Sequence, residues 1–122
     1  MSSVKSIYTD ASSLGDGNGI GIGLVVYDHI IPYNPTIPIY RESWNIGIDK
    51  IVYNGELEGV VRAIEYASSV ANRGDHFDVY TDNQAAIYRL KTPSDNPGQS
   101  SQILAIEASK SILAKGATIA IK

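Results

Sequence analysis

The chain of 122 residues contains no cysteine, which excludes disulfide bonds and thiolate metal sites and fits an intracellular setting. No apolar run approaches the roughly 20 residues that a membrane-spanning helix needs. The first five residues, MSSVK, lead directly into a predicted strand, which is not the pattern of a signal peptide. Repeats, low-complexity tracts and linkers are absent as well. We therefore expect a single globular domain over residues 1–122, located inside the cell in the cytoplasm or the nucleus.

Charged residues are also scarce: they make up 19% of the chain against 43% hydrophobic residues, and the formal net charge is −3. The apolar content is sufficient for a folded core and excludes an intrinsically disordered chain. Proteins that hold a phosphate backbone tightly are usually basic, so this balance counts against autonomous, high-affinity binding of nucleic acid. It is compatible with an acidic metal site.

The first half of the chain has the pattern of an antiparallel meander. Strands are predicted at 6–10, 19–27 and 39–46, where apolar residues alternate or cluster between turn-forming segments. A Gly/Ser/Asp turn at 11–18 joins the first two strands. The segment 29–38, which holds three of the five prolines, joins the second strand to the third.

The second half changes to helical spacing of its apolar residues. Helices are predicted at 53–71, 84–90 and 102–115, strands at 77–81 and 117–121, and a Pro/Gly/Ser loop at 92–100. The helix residues predicted to face the core are Leu57, Val60, Val61, Ile64, Ala67 and Ala71, and then Ile103, Ile106, Ala108, Ile112 and Leu113. The order βββαβαβ with right-handed crossovers predicts an α/β fold with a mixed five-stranded sheet in the order 3-2-1-4-5.

This strand order places strands one and four side by side and brings three acidic residues to one edge of the sheet. Asp10 ends the first predicted strand, Asp82 stands at the end of the fourth, and Glu56 lies in the first turn of the long helix. Carboxylates held close together repel one another unless a cation joins them, and Mg²⁺ or Mn²⁺ takes such oxygen ligands. Two ions of this kind can activate a water and stabilise the leaving oxygen when a phosphodiester is cleaved.

Each acid taken alone has a simpler interpretation. Asp10 is compatible with a turn aspartate, Asp82 with an ordinary N-cap, and Glu56 with an acid that favours the helix macrodipole. Turns and caps give no reason, however, for all three acids to meet at one place. Glu58, two residues after Glu56, is predicted to face solvent and serves as the control residue.

Four segments carry a family resemblance: IYTDAS (7–12), VYNGELEGVVRAIEYA (52–67), VYTDNQAAI (79–87), and NPGQ (96–99) followed by an Ile/Leu helix. In this order and spacing they resemble the ribonuclease H family. More narrowly, they resemble the ribonuclease H domains attached to reverse transcriptases of fungal-type non-LTR retrotransposons. The resemblance covers essentially the whole chain and implies a ribonuclease H-like fold.

The resemblance also implies an activity, namely hydrolysis of the RNA strand of RNA–DNA hybrids by an endonuclease that depends on Mg²⁺ or Mn²⁺. Asp10, Glu56 and Asp82 correspond to the first three acids of the family's four-carboxylate, two-metal site, with Asp10 bridging both ions. Ser12, Asn83 and Gln84 correspond to positions near the nucleic acid. Gln84 is equally compatible with a helix cap.

The chain departs from the family pattern after strand five. No residue matches the fourth acid or the loop histidine, and residues 119–121 fall in the predicted fifth strand. An alternative is therefore a catalytically weak or inactive, domesticated or truncated domain that binds nucleic acid or protein. A related 3′–5′ exonuclease is a third interpretation, although its Asp-x-Glu pair on strand one is here Asp10-Ala11-Ser12. Because the family's final helix is missing from the predicted elements, one sheet face is expected to be uncovered and to support a homodimer.

Overall fold

The computed structural model describes residues 4–13, 19–28, 38–45, 47, 52–81 and 99–122. Within these residues five strands form: β1 (Val4–Ser13), β2 (Ile20–Asp28), β3 (Tyr40–Asn45), β4 (His76–Tyr80) and β5 (Thr118–Ile121). Two helices lie between them, α1 (Val52–Val70) and α2 (Gln99–Ala114). The predicted helix at 84–90 and most of the segment 29–38 lie outside the described residues.

The five strands form one sheet in the order β3-β2-β1-β4-β5, as predicted. β1 pairs with β2, and β2 with β3, in antiparallel fashion, whereas β1–β4 and β4–β5 are parallel pairs. Helix α1 packs on β1, β2 and β4, and α2 packs on α1 and β5. The two helices thus form one layer on one face of a mixed sheet, which we call the inner face; the opposite face is the outer face. No helix in the described part of the chain is long and apolar enough to cross a bilayer.

The core lies between the inner face and α1. Alternate residues of β1, β2 and β4 are buried there, and the largest fully buried side chains of the strands are Ile7, Ile22, Leu24, Val26, Phe77 and Val79. From α1 the buried side chains are Leu57, Val60, Val61, Ala63, Ile64 and Ala67. Full burial of a large aliphatic or aromatic side chain contributes about 1.5–3 kcal/mol, so this interface holds the helix to the sheet. The inward face predicted for the first helix is confirmed, except that Ala71 is only half-buried and follows the helix end.

Strand β1 is longer than predicted. It continues through Ser13, with Ala11 opposite Ile22 and Ser13 opposite Ile20, so the turn predicted from residue 11 is wrong for residues 11–13. The reason is that Ala11 keeps the alternation of inward residues and is itself buried against β2. Asp10 therefore does not end the strand; it lies within β1 and opposes Gly23.

The inward face predicted for the last helix needs a correction. Ile106 and Leu113 are 38% and 62% exposed, whereas Ala105 and Ile112 are buried. The spacing of Ala105, the half-buried Ala108 and Ile112 matches one helical stripe, and Ile106 and Leu113 lie one residue beyond it. The helix also begins at Gln99, inside the loop predicted at 92–100.

Candidate functional site

Asp10 stands on the outer face of the sheet. Its neighbours in β1 alternate, so Ile7, Thr9 and Ala11 are buried on the inner face while Asp10 and Ser12 are exposed on the outer one. The Asp10 carboxylate oxygen Oδ1 accepts a hydrogen bond from the backbone N–H of Ala11 at 2.9 Å. Among the described residues no lysine or arginine forms an ion pair with Asp10. Its charge is therefore available to an external cation.

A groove of about 470 Å³ extends from Asp10 across β2 to β3. The residues that line it are Asp10, Ser12, Gly21, Ile22, Gly23, Ser43, Trp44 and Asn45. Gly21 and Gly23 form the floor, since they oppose Ser12 and Asp10 in the β1–β2 ladder. A Cβ atom at Gly23 would meet nothing within 4 Å, so a ligand can approach the backbone there.

Sequence analysis did not identify Ser43 and Asn45 as groove residues. They oppose Gly23 and Gly21 in the antiparallel ladder between β2 and β3. The polar residues at every second position of β3 indicate that one face of this strand is exposed. Their pairing with the two glycines depends on the strand register, which is set by tertiary packing and cannot be read from the sequence of β3 alone.

The same tripeptide, Tyr-Thr-Asp, occurs twice in the sequence, and its two tyrosines pair in the sheet. Tyr8-Thr9-Asp10 is in β1, and Tyr80-Thr81-Asp82 begins at the end of β4. Tyr8 and Tyr80 are register partners in the parallel pair, and their rings stack on the outer face with centroids 4.8 Å apart. Thr9 and Thr81 are 7% and 8% exposed. In both tripeptides a tyrosine on the outer face is therefore followed by a buried threonine, and the next residue in the sequence is an aspartate.

The other predicted site residues are described only in part. Glu56 occupies a helical position in α1, but its side chain is outside the described part of the chain, as are Asp82, Asn83 and Gln84. Among the side chains that the structure does describe, no group of three His, Asp or Glu residues could hold a metal ion. The described part of the site fits a hard divalent cation in its chemistry, since the Asp10 carboxylate pairs with no lysine or arginine among the described residues and borders a groove with the Ser12 hydroxyl.

A second carboxylate on the outer face, Asp78, has protein partners instead. The imidazole nitrogen Nε2 of His76 lies 2.9 Å from Asp78 Oδ1, and the ammonium group of Lys122 lies 3.4 Å from the same oxygen. The other ring nitrogen of His76 lies 2.7 Å from the Thr118 hydroxyl. Burial acts to raise the pKa of the Asp78 carboxyl, but the hydrogen bonds to His76 and Lys122 outweigh it and hold that pKa below its ordinary value.

The basic residues of the described chain form no patch around Asp10. Arg62 on α1 is bound to Glu58, with Nε 3.0 Å from the carboxylate, and its guanidinium lies 4.4 Å from the centre of the Trp44 ring. It also borders a smaller cavity of about 260 Å³ between β3 and α1, where Tyr40 and Tyr66 stack with centroids 4.6 Å apart. Burial raises the pKa of the Tyr66 hydroxyl, and the nearby Asp28 carboxylate adds to the effect.

No protein-family profile and no curated protein sequence matches this chain. Solved structures do match it. The N-terminal RNase H domain of Rv2228c from Mycobacterium tuberculosis, solved as a fusion with maltose-binding protein, is 14% identical with a TM-score of 0.71; the match covers 98% of this chain and 82% of that one. RNase H1 from the halophilic archaeon Halobacterium salinarum is 15% identical with a TM-score of 0.65, over 98% and 85% of the two chains.

A third match is LC11-RNase H1, which was solved in complex with an RNA/DNA hybrid. It is 17% identical to this chain with a TM-score of 0.64, and the match covers 97% of this chain and 84% of that one. The TM-scores of these three matches show a shared fold, and at identities this low they show the fold alone. The chain therefore has the ribonuclease H fold, and the predicted fold class is confirmed.

Proposed function

We propose that the chain is a metal-dependent endonuclease domain that hydrolyses the RNA strand of RNA–DNA hybrids. The observation that carries this proposal is the parallel pairing of Tyr8 with Tyr80, which are the first residues of two Tyr-Thr-Asp tripeptides. Asp10 and Asp82 each follow, by two positions, the register partners Tyr8 and Tyr80. Neighbouring strands are about 4.8 Å apart, a separation at which two carboxylates can share a divalent ion.

In this proposal Asp10, Glu56 and Asp82 hold Mg²⁺ or Mn²⁺. The bound metal supplies an activated water and a stabilised leaving oxygen. The chain's own residues bind and orient the substrate: Ser12 borders the groove beside Asp10, and Asn83 and Gln84 follow the second tripeptide. The glycine floor leaves room for a nucleic-acid strand next to the carboxylate. The ribonuclease H fold and the hybrid complex of LC11-RNase H1 support the choice of substrate.

The proposal is tested with a labelled RNA–DNA hybrid in Mn²⁺, together with a DNA duplex of the same sequence. We expect slow cleavage of the RNA strand that is lost in Asp10→Asn and in Asp82→Asn. Glu58→Gln is the control, because Glu58 is bound to Arg62 and lies away from the groove. Cleavage that survives Asp10→Asn, or equal loss in Glu58→Gln, would contradict the assignment.

The second candidate function is a catalytically weak or inactive module of the same fold that binds nucleic acid or protein. It is favoured by the formal net charge of −3, because proteins that hold a phosphate backbone tightly are usually basic. Binding of the hybrid in a mobility-shift assay, without cleavage in Mn²⁺ even over long incubation, would favour this module over the nuclease.

Two further parts of the proposal concern the biological context. The domain is proposed to be of the kind attached to reverse transcriptases of fungal-type non-LTR retrotransposons, on the strength of the segments at 7–12, 52–67 and 79–87. Sequencing of full-length transcripts tests this, since we expect a reverse transcriptase in the same reading frame. An intracellular location, cytoplasmic or nuclear, is proposed from the sequence and is tested by imaging a tagged full-length product.

A further inference from the structure

The groove beside Asp10 is built from two rows of residues that cross the sheet from β1 through β2 to β3. Each row has an exposed polar residue at both ends and a glycine between them. The register partners are Asp10, Gly23 and Ser43 in one row, and Ser12, Gly21 and Asn45 in the other. All six residues line the groove. The groove therefore has two polar walls, one on β1 and one on β3, and a floor of backbone without side chains.

The fold itself gives no reason for a glycine at position 23. Glycine weakens the interior of a strand because it has no side chain to pack, and Gly23 lies in the middle of β2. It has no positive φ, and a Cβ atom there would meet none of the described residues within 4 Å. Gly59 is different, since a Cβ atom there would lie 3.3 Å from Thr9 Cβ and from Ile22 Cγ2. A strand glycine that packing does not require indicates close approach of a ligand to the backbone.

The β3 wall of the groove presents uncharged hydrogen-bonding groups, namely the Ser43 hydroxyl and the Asn45 side-chain amide. The N–H of Gly47 donates to Asn45 Oδ1 at 2.8 Å, which holds this amide in place. Neighbouring strands are about 4.8 Å apart, so the β3 wall lies roughly 10 Å from Asp10, the length of about three stacked nucleotides. Hydroxyl and amide groups contact phosphates and sugars as well as basic residues do, which suits a chain with a formal net charge of −3.

We infer that the RNA strand of the substrate crosses β2 over Gly21 and Gly23, and that Ser43 and Asn45 bind its sugar-phosphate backbone a few nucleotides from Asp10. This inference rests on the proposed function, because it takes Asp10 to act at the cleaved phosphate. The glycines let the strand lie close to the sheet, and the β3 wall fixes its position relative to the carboxylate. Ser43 and Asn45 are then substrate-binding residues, and Gly23 provides access.

The first test places a side chain on the floor of the groove. The dissociation constant of a fluorescein-labelled RNA–DNA hybrid is measured by anisotropy without divalent metal, together with the thermal midpoint of each variant. We expect Gly23→Val to weaken hybrid binding on the order of tenfold, and to keep or raise the midpoint because valine favours strands. Val25→Ile is the matched control, since Val25 is the next residue on the same face of β2 and does not line the groove. Its dissociation constant should equal that of wild type.

The second test changes the β3 wall. Ser43→Ala should weaken hybrid binding about three- to tenfold, the effect of one lost hydrogen bond. Asn45→Asp keeps an oxygen that accepts from the N–H of Gly47 but places a negative charge beside the phosphates. It should weaken binding further, and the ratio of its dissociation constant to that of wild type should fall as salt is added, because salt screens the repulsion. A defect of folding would not give this dependence on salt.

The outcomes separate this inference from the proposed function. If Gly23→Val binds the hybrid as tightly as wild type, the inference is wrong, and the nuclease proposal still depends on the cleavage assay. A midpoint of Gly23→Val well below that of wild type would also overturn the inference, because the fold would then require the glycine. Unchanged binding by both Ser43→Ala and Asn45→Asp would overturn the role of β3. The expected losses of binding in a protein that cleaves nothing in Mn²⁺ would support the groove and contradict the nuclease.

Discussion

Asp10 and Asp78 are carboxylates on the same sheet face with opposite electrostatic surroundings. Asp78 has the His76 ring and the Lys122 ammonium group within 3.4 Å, whereas Asp10 has no ion pair within the described residues. A carboxylate that is already paired with cationic side chains is stabilised little by a divalent cation. A carboxylate that has no such partner and lies near a second carboxylate is stabilised much more. At the scale of single residues, this contrast is what distinguishes a structural acid from a proposed ligand.

The first residue-scale prediction is that Mg²⁺ or Mn²⁺ stabilises the folded chain through Asp10. A ligand that binds only the folded state at about 100 times its dissociation constant adds about 2.7 kcal/mol to the free energy of unfolding. Thermal melting across a Mn²⁺ titration measures this gain. We expect Asp10→Asn and Asp82→Asn to abolish it and Glu58→Gln to leave it intact. An equal metal-dependent rise in all four proteins would contradict a site at these aspartates.

The second residue-scale prediction concerns acid stability. Because the pKa of folded Asp78 lies below its ordinary value of 3.8, its ion pairs contribute stability that is present above pH 3.8 and is lost as the pH falls through the folded pKa. Wild type should therefore be more stable than Asp78→Asn at pH 6, by up to about 1 kcal/mol for a solvent-accessible pair. That difference should shrink as the pH falls below 3.8 and through the folded pKa. Urea unfolding at a series of pH values tests this, and a difference that does not depend on pH would contradict it.

At the scale of elements, the end of α2 requires a residue in the left-handed backbone conformation, and a substitution there should lower the stability of the fold. Gly116 has φ +82°, the N–H of Ala117 donates to the carbonyl of Ile112, and the N–H of Gly116 donates to the carbonyl of Leu113. These paired bonds are the Schellman termination, which needs a left-handed residue. Gly116→Ala should lower the free energy of unfolding by about 1–2 kcal/mol.

Gly23→Ala is the matched control for that substitution. Gly23 has no positive φ, and a Cβ there meets nothing within 4 Å, so the change should leave stability nearly unaltered or slightly raised. Thermal or urea unfolding of the two variants gives the comparison. Equal effects would mean that the left-handed conformation at Gly116 is not what stabilises the end of α2.

An element could be predicted from the sequence when local residue patterns determine it. The strand order and the inward face of α1 depend on alternation and helical spacing, which are local patterns that the sequence shows directly. The extent of β1 past Asp10 was missed because Ala11 and Ser12 have turn-like composition, while pairing with β2 keeps them extended. The stripe of α2 was misassigned because Ile106 and Leu113 are apolar, yet the packing of α2 against α1 buries Ala105 and Ile112.

The candidate site also has a part that the sequence predicted and a part that only the structure shows. Asp10, Glu56 and Asp82 were identified from residue type and predicted topology, and of these the structure describes only the side chain of Asp10. The groove was beyond sequence analysis. It depends on the register of Gly23 against Asp10 and Ser43, which is a product of tertiary packing.

At the scale of the whole molecule, the outer face of the sheet exposes aromatic side chains. Tyr8 is 47% exposed there although it lies in the central strand, and its ring contacts those of Tyr27 and Tyr80. Neither α1 nor α2 covers this face, since both pack on the inner one. β5 pairs only with β4 among the described strands and so lies at a sheet margin. Exposed aromatic surface and an open strand edge both favour association.

We expect the chain to form a dimer through the outer face. A two-fold axis places the same patch of both protomers face to face, so the exposed aromatic side chains of one protomer would pack on those of the other. Sedimentation equilibrium at micromolar concentration should therefore give a mass above the 13.1 kDa monomer. Tyr8→Glu, which places a charge in the aromatic cluster, should shift the chain to monomer. Leu113→Glu, on the exposed side of α2, is the control and should leave the dimer intact. A wild-type monomer that binds no hydrophobic dye would show that the outer face is covered within the chain itself.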